Sequence, residues 1–305
     1  MPIPHLGELA ALGTAMLWTL STLAWTSAGR YIGALPISFI RLLLTLVLVA
    51  GYQMLFYGTI LPLPADGRTW CLLGISGFMG LFITDVCMFH SFLLIGPRIA
   101  LLILSLSPPV AAVISWLWLG DWLHWWDWAA MGLTLAGVLW VVYEQPAKSQ
   151  SLHYLRPEQS GWGVVLACCG AVGNAISLVL SKDGIGHYDA FSATYVRVLG
   201  AMGGYLVLIS LLRAWPEIWA ALCHRKAMKI VAAGSFVGPF LGVAFSMTAI
   251  RYAQPGVVAA ILATMPVLIL PFVVLVYRER VSLRAVLGAL LAVVGVIGLV
   301  LNNHH

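Results

Sequence analysis

Charge is what this 305-residue chain has least of: 9% of its residues are charged, against 61% hydrophobic. A soluble domain carries about 25% charged residues. A chain this poor in charge could not solvate a water-facing surface, so it reads as an integral membrane protein. It also lacks the ten-residue alternating segments of an outer-membrane barrel. The spans are then helices, which satisfy their own backbone hydrogen bonds in lipid. No G-x-x-x-x-G-K-[ST] loop is present, so nothing points to ATP drive. The five cysteines (Cys71, Cys87, Cys168, Cys169 and Cys223) show no metal-ligand spacing, and they read as small, mostly buried hydrophobes. The histidines are scattered, and the His304–His305 pair is too short for a metal tract. No metal and no cofactor is expected. The first 25 residues lack a basic start and a small-residue cleavage site, so they read as a first span rather than a removable signal.

The formal charge of +5 lies mostly in loops and suits anionic lipid headgroups rather than nucleic acid. The tryptophan-dense stretch WLWLGDWLHWWDW (116–128) reads as an interfacial belt. No basic residue is interleaved there, so it is not a base-stacking platform. About 20 apolar residues cross the hydrocarbon core. That ruler gives ten segments: 6–28, 36–57, 69–93, 97–119, 124–143, 161–181, 190–212, 229–252, 255–277 and 282–301. The longest polar interval, EQPAKSQSLHYLRPEQS (144–160), reads as a linker between 1–143 and 161–305.

The two parts repeat. At an offset of 156, SFIRLLL (38–44) lies over TYVRVLG (194–200), which pairs Arg41 with Arg197, Trp18 with Asn174 and Gly7 with Gly163. At an offset of 158, Gly80 pairs with Gly238, Pro97 with Pro255, Pro108 with Pro266 and Asp121 with Glu279. The chain reads as two copies of a five-helix unit. Five is odd, so the copies insert with opposite orientation, a plan known from secondary transporters with a binding site at the repeat interface. The expected fold is all-α integral membrane, with ten transmembrane helices as two inverted five-helix repeats.

These residues carry a resemblance. Arg41 and Arg197, with ALLILSLSPPVAAVISWLWLGD (100–121) and its counterpart AAILATMPVLILPFVVLVYRE (259–279), resemble the ten-helix metabolite-exporter (EamA-type) family of the drug/metabolite transporter superfamily. That family usually ends this stretch in Leu-Gly-Glu; here Leu119–Gly120–Asp121 and Tyr277–Arg278–Glu279 stand there. The resemblance implies a multi-pass protein of the cell (inner) membrane, with both termini on the cytoplasmic side. Basic residues argue the other way. Loops on the terminal side hold Arg68, Lys182 and Arg251, whereas those on the opposite side hold eleven Lys and Arg.

Inside the spans the clear charges are Arg41, Asp85 and Arg197. Each costs roughly 2.5–3.5 kcal/mol at a helix centre, so each must face the bundle interior, a cavity or a partner. Asp85 lies among apolar and aromatic neighbours that include Phe89. It reads either as a proton-coupling or substrate-amine site, or as the structural ion-pair partner of Arg41. Its repeat counterpart is Val243, so Arg197 has no matching acid and meets either helix-end carbonyls or a substrate carboxylate. Trp18 and Asn174 offer an aromatic wall and a donor–acceptor pair to a cavity, or else interhelical contacts. The candidate substrate-binding residues are therefore Trp18, Asn174, Asp85, Phe89 and Arg197. His90 is turned away from Asp85 and reads as a packing histidine. Pro108 and Pro266, at equivalent points of the fourth and ninth helices, read as hinges or as static kinks. The rows Gly234–Gly238–Gly242–Ser246 and Ser76–Gly80–Thr84 read as close helix packing.

The function that follows is a secondary transporter. It would export small metabolites, amino acids or related zwitterionic or amphipathic compounds, coupled to a proton through Asp85 or uncoupled. The alternatives are a membrane-embedded enzyme or a channel. The enzyme lacks a cluster of His, Asp or Glu at ligand spacing, and the channel lacks a ring of like charges or a carbonyl filter.

Overall fold

The computed structural model describes residues 5–62, 64–144, 160–268 and 283–302. Most of the linker 144–160, the ninth span beyond 268 with Pro271 and Glu279, and His304–His305 lie outside the described residues. Every described element is helical. In chain order these are α1 (Leu6–Ile32), α2 (Ala34–Tyr57), α3 (Gly67–Gly77), a π-helical turn (Phe78–Ile83), α4 (Thr84–Leu104), α5 (Ser107–Leu119) and α6 (Trp125–Glu144). Then come α7 (Ser160–Ile185), α8 (Ala190–Leu211), α9 (Trp215–Cys223), α10 (Arg225–Ser235), a second π-helical turn (Phe236–Gly242), α11 (Val243–Tyr252), α12 (Pro255–Leu262), α13 (Met265–Leu268) and α14 (Leu283–Asn302).

Local chemistry sets the ends. Gly33 alone separates α1 from α2, at φ +80°, a conformation an L side chain rarely adopts. The Asp66 carboxylate caps α3 by accepting from the Thr69 amide, and Asp189 caps α8 by accepting from the Ser192 amide. Thr69 holds the Asp66 carboxyl below its ordinary range, through side-chain and then backbone hydrogen bonds. The tryptophans of 116–128 are exposed, as an interfacial belt requires.

Six helical stretches among the described residues are long and apolar enough to cross a membrane: Leu6–Gly29, Ala34–Tyr57, Gly67–Ser91, Gly161–Ile185, Ala190–Leu211 and Arg225–Tyr252. Ser107–Leu119 and Val286–Gly298 are shorter apolar helices. One boundary differs from the sequence reading. Residues 94–96 were expected to separate two spans, yet Thr84–Leu104 is helical throughout. The partners on α7 show what the chain does there. Thr84 Oγ1 donates to the Gly170 carbonyl and Ser91 Oγ to the Gly163 carbonyl, but Ser107 Oγ accepts from Asn174. The chain therefore climbs toward the start of α7 and comes back, reversing between Ser91 and Ser107.

Two helix pairs organise the interior. In one, α1 runs antiparallel to α10, the second π turn and α11: Gly7 faces Ala253, Trp18 faces Gly242, Ser21 faces Gly238 and Trp25 faces Gly234. In the other, α7 runs antiparallel to α3, the first π turn and α4. There Gly163 faces Ile95, Gly170 faces Met88, Gly173 faces Thr84 and Ser177 faces Gly80. The sequence offsets carry the first pair onto the second: Gly7–Ala253 becomes Gly163–Ile95, and Ser21–Gly238 becomes Ser177–Gly80. They also carry Phe78 onto Phe236, where the two π turns begin. The small-residue rows are thus the seams of both pairs. At the periphery α6 packs on α14, with Gly137 against Ala292 and Gly295 against Thr134.

Candidate functional site

The two arginines stand at equivalent corners and meet different company. Arg41 of α2 donates from Nη2 to Asp85 Oδ2 of α4. Its guanidinium also lies 4.6 Å from the centroid of the Trp25 ring of α1. Stacking and ion pairing together suit a guanidinium, which is planar and weakly hydrated. The pair is not sealed: the Arg41 and Asp85 side chains are 12% and 23% exposed. Asp85 is presented just after the first π turn, where Thr84 Oγ1 donates 2.9 Å to the Met79 carbonyl five residues back. A π turn re-aims the residues after it, and such turns recur at functional positions. Phe89 follows one turn later and is half-buried.

Arg197 of α8 is 5% exposed. Its Nη1 donates to Ser181 Oγ at 2.6 Å and lies 3.4 Å from Met247 Sδ, and its Nη2 donates to Ser177 Oγ at 3.1 Å. All these partners are neutral. The offsets explain the contrast: Ser181 stands where the first half has Trp25, Val243 where it has Asp85, and Met247 where it has Phe89. Neither serine needs the arginine, since Ser177 Oγ donates to the Ser76 carbonyl and Ser181 Oγ to the Ser177 carbonyl. Arg197→Met is therefore expected to leave stability within about 1 kcal/mol of wild type, because removing a buried charge also removes its desolvation cost. Denaturant unfolding in mixed micelles checks this; a loss above about 3 kcal/mol would mean Arg197 has a partner of opposite charge.

The other candidates fall in separate places. Asn174 of α7 donates 2.8 Å to Ser107 Oγ, in the first turn of α5 beside Pro108. Trp18 of α1 packs over Gly242. Pro108 is buried in the first turn of α5, where a missing N–H costs nothing. The break precedes it, at Ser105–Leu106 between α4 and α5, and its repeat equivalent is the break at Ala263–Thr264 just before Pro266. Each helix is thus interrupted one residue or two ahead of its proline. His90 is exposed, and its Nδ1 lies 2.8 Å from the Val86 carbonyl of its own helix.

Several polar side chains that the sequence reading passed over gather at the end of the molecule where α3, α8 and α12 begin. Asp183 Oδ1 and Oδ2 accept from Arg68 Nη2 at 2.9 and 3.1 Å, and Oδ2 also accepts from Trp118 Nε1 at 3.0 Å. Lys182 Nζ donates to the carbonyls of Arg251 and Ala253, Arg251 donates to the Tyr188 carbonyl, and Gln254 donates to the Trp122 carbonyl. Gln53 of α2 donates 2.6 Å to Ser192 of α8. Arg68, Trp118, Trp122 and Gln53 belong to the first half and their partners to the second. The repeat equivalents of Arg68 and Asp183 are Lys226 and Ser27, so the opposite end has no such acid at that place.

The profile of the EamA-like transporter family matches residues 5–143 and, separately, 161–301. A search of curated proteins finds no match. A solved structure described as "Crystal structure of protein" is similar over 98% of this chain and 97% of that one, with a TM-score of 0.72 and 20% identity. At that identity the likeness speaks for the fold.

Proposed function

Because the chain belongs to the EamA-like transporter family, we propose that it is a secondary transporter that exports small metabolites, amino acids or related zwitterionic and amphipathic compounds, across the cell (inner) membrane. In this reading ten spans form two inverted five-helix repeats, residues 1–143 and 161–305, joined by the linker 144–160. The substrate occupies the interface between them, where Trp18, Asn174, Asp85, Phe89 and Arg197 serve it. The breaks before Pro108 and Pro266 bend as access alternates. Coupling runs to a proton through Asp85 or is absent.

The observation that carries this reading is the polar latch across the two halves, centred on Asp183. It joins them with hydrogen bonds and one ion pair, which part and re-form in water without exposing apolar core. Among the described residues it stands at one end, which suits a molecule closed on that side. Two helix breaks related by the repeat supply the matching points of bending.

Counterflow in proteoliposomes tests the reading. Preloaded unlabelled substrate accelerates uptake of labelled substrate through a carrier and not through a channel or an enzyme. Loosening the latch is expected to change the rate. Arg68 is 72% exposed, so its pair with Asp183 is worth at most about 1 kcal/mol. Asp183→Asn is accordingly expected to raise counterflow about two- to five-fold where opening of that end limits the cycle. An unchanged rate in the variant removes the latch from the cycle, and an absence of counterflow for every compound removes the carrier.

A further inference from the structure

Four cations gather at the end of the molecule away from the latch. α8 starts beside the latch and ends at Leu211, so α9 and the start of α10 stand at the far end. Arg213, Arg225, Lys226 and Lys229 are all exposed there, and across 211–230 the sequence offers them one acid, Glu217. Among the described residues none of the four is in an ion pair. Lys226 lies over the Tyr31 ring, 5.2 Å from its centroid. The cations of the latch end are spent on the protein itself: Arg68 on Asp183, Lys182 and Arg251 on carbonyls.

A second observation singles out Arg213. Its φ is +53°, in the left-handed region where a Cβ is strained and glycine is not. The corresponding end of α2 uses Gly58, at φ +69°. The second half thus keeps a long cation where glycine would suit the backbone better. α9 is built to lie flat beside it. Its 9 residues are too few to cross a bilayer. Ile218 and Ala221 bury one face in a cluster with Ala28 and Phe39, and the Trp215 ring stands edge-on to Phe39 at 6.0 Å. Trp219 shows 65% of its surface on the other face. A flat helix with one apolar face, an outward tryptophan and cations at both ends is what an anionic headgroup layer attracts. The latch end carries Asp66, Asp121, Asp127, Asp183 and Asp189 instead. The first and last described helices also have their outer ends there: Gly7 faces Ala253, and Gly298 of α14 faces Ala130 near the start of α6.

We propose that α9 and the start of α10 rest on the anionic phospholipid headgroups of the cytoplasmic leaflet, which places the latch on the outer side. Both chain ends are then outside, opposite to what the family resemblance implies and as the distribution of basic residues requires. Two proteins that each keep one native cysteine test it: Cys223 at the end of α9, or Cys71 near the start of α3, both exposed. Each carries a donor dye on that cysteine, in vesicles of phosphatidylcholine and phosphatidylglycerol with a trace of either lipid acceptor-labelled on its acyl chain. Energy transfer from Cys223 should favour phosphatidylglycerol about ten-fold, a conservative share for four surface cations, and salt at about 1 M should erase the preference. Cys71 should show none. Arg213→Gln, Arg225→Gln, Lys226→Gln and Lys229→Gln together should abolish it. Arg213→Lys, Arg225→Lys, Lys226→Arg and Lys229→Arg together should keep it, because charge and not shape is read. In intact cells an impermeant maleimide should reach Cys223 only after permeabilisation, and alkaline phosphatase fused at the C-terminus should be active. Equal transfer to the two lipids at Cys223 overturns the proposal, as does a matching preference at Cys71 or one that survives salt or the glutamines. So does labelling of Cys223 from outside, or an inactive phosphatase. No transported substrate enters these measurements, so their failure leaves the transport reading to its own test.

Discussion

Asp85→Leu is expected to destabilise the protein by about 3 kcal/mol, and Arg41→Met by a similar amount. Breaking a buried ion pair from one side leaves a charge with no partner, a loss of about 3–5 kcal/mol. The lower end applies because both side chains keep some exposure, 12% and 23%. Trp25 softens the loss of Asp85, since its ring face still attracts the guanidinium left behind. The double variant Arg41→Met/Asp85→Leu is expected to recover most of the loss, because neither charge then remains. Unfolding of the four proteins in mixed micelles closes the cycle. A coupling energy below about 0.5 kcal/mol would show that the two charges do not depend on one another. Asp85→Asn adds a functional measurement. It should abolish the pH dependence of transport if coupling runs through this carboxyl; an unchanged profile leaves Asp85 to the ion pair with Arg41.

The contrast with Arg197 shows how much the sequence discloses. Repetition of Arg41 as Arg197 was legible because a charge inside an apolar run stands out at any offset. So was the absence of an acid at Val243, and the pairing of Arg41 with Asp85 followed as one of two readings. The small-residue rows were legible for the same reason: glycine and serine at every fourth position have no other use on a membrane helix. Trp25 was not. An aromatic residue in mid-span looks alike whether it faces lipid or lies under a guanidinium, and only the repeat register, with Ser181 opposite Trp25, hinted at the difference. Asp183 and Lys182 were hidden by position, because charges near a span end read as ordinary interfacial residues. Glu8 was hidden likewise: it stands in the first turn of α1 and yet is 2% exposed. The apolar-length ruler set 94–96 between two spans, and the helical backbone that runs through them was not foreseen.

Gly77→Ala should be the most damaging single methyl among the described glycines. A Cβ at Gly77 would fall on the main chain of Arg197, and one at Gly200 on the carbonyl of Gly74. The neighbour in each case is backbone, which has no rotamer to retreat into, so α3 and α8 would have to part. Parting them also draws Arg197 away from Ser177 and Ser181, whose hydrogen bonds at 3.1 and 2.6 Å are what its charge has. We expect about 3 kcal/mol or more lost for Gly77→Ala or Gly200→Ala, at the upper end of overpacking effects, and no folded protein for Gly77→Leu. Gly51 and Gly203 supply the controls. Both lie inside helices with open space around them, so alanine there should be neutral or gain about 0.5–1 kcal/mol. Equal losses at all four positions would mean that glycine acts through backbone freedom rather than through the seam. A loss confined to Gly77 and Gly200 would mean that the contact of α3 with α8 sets how closely the two halves approach. The repeat counterparts of Gly77 and Gly200 are Ser235 and Leu44, so this backbone-to-backbone seam is built on one side only. It lies beside Arg197, which no carboxylate meets among the described residues, so the close approach of α3 and α8 is also what keeps Ser177 and Ser181 within reach of its guanidinium.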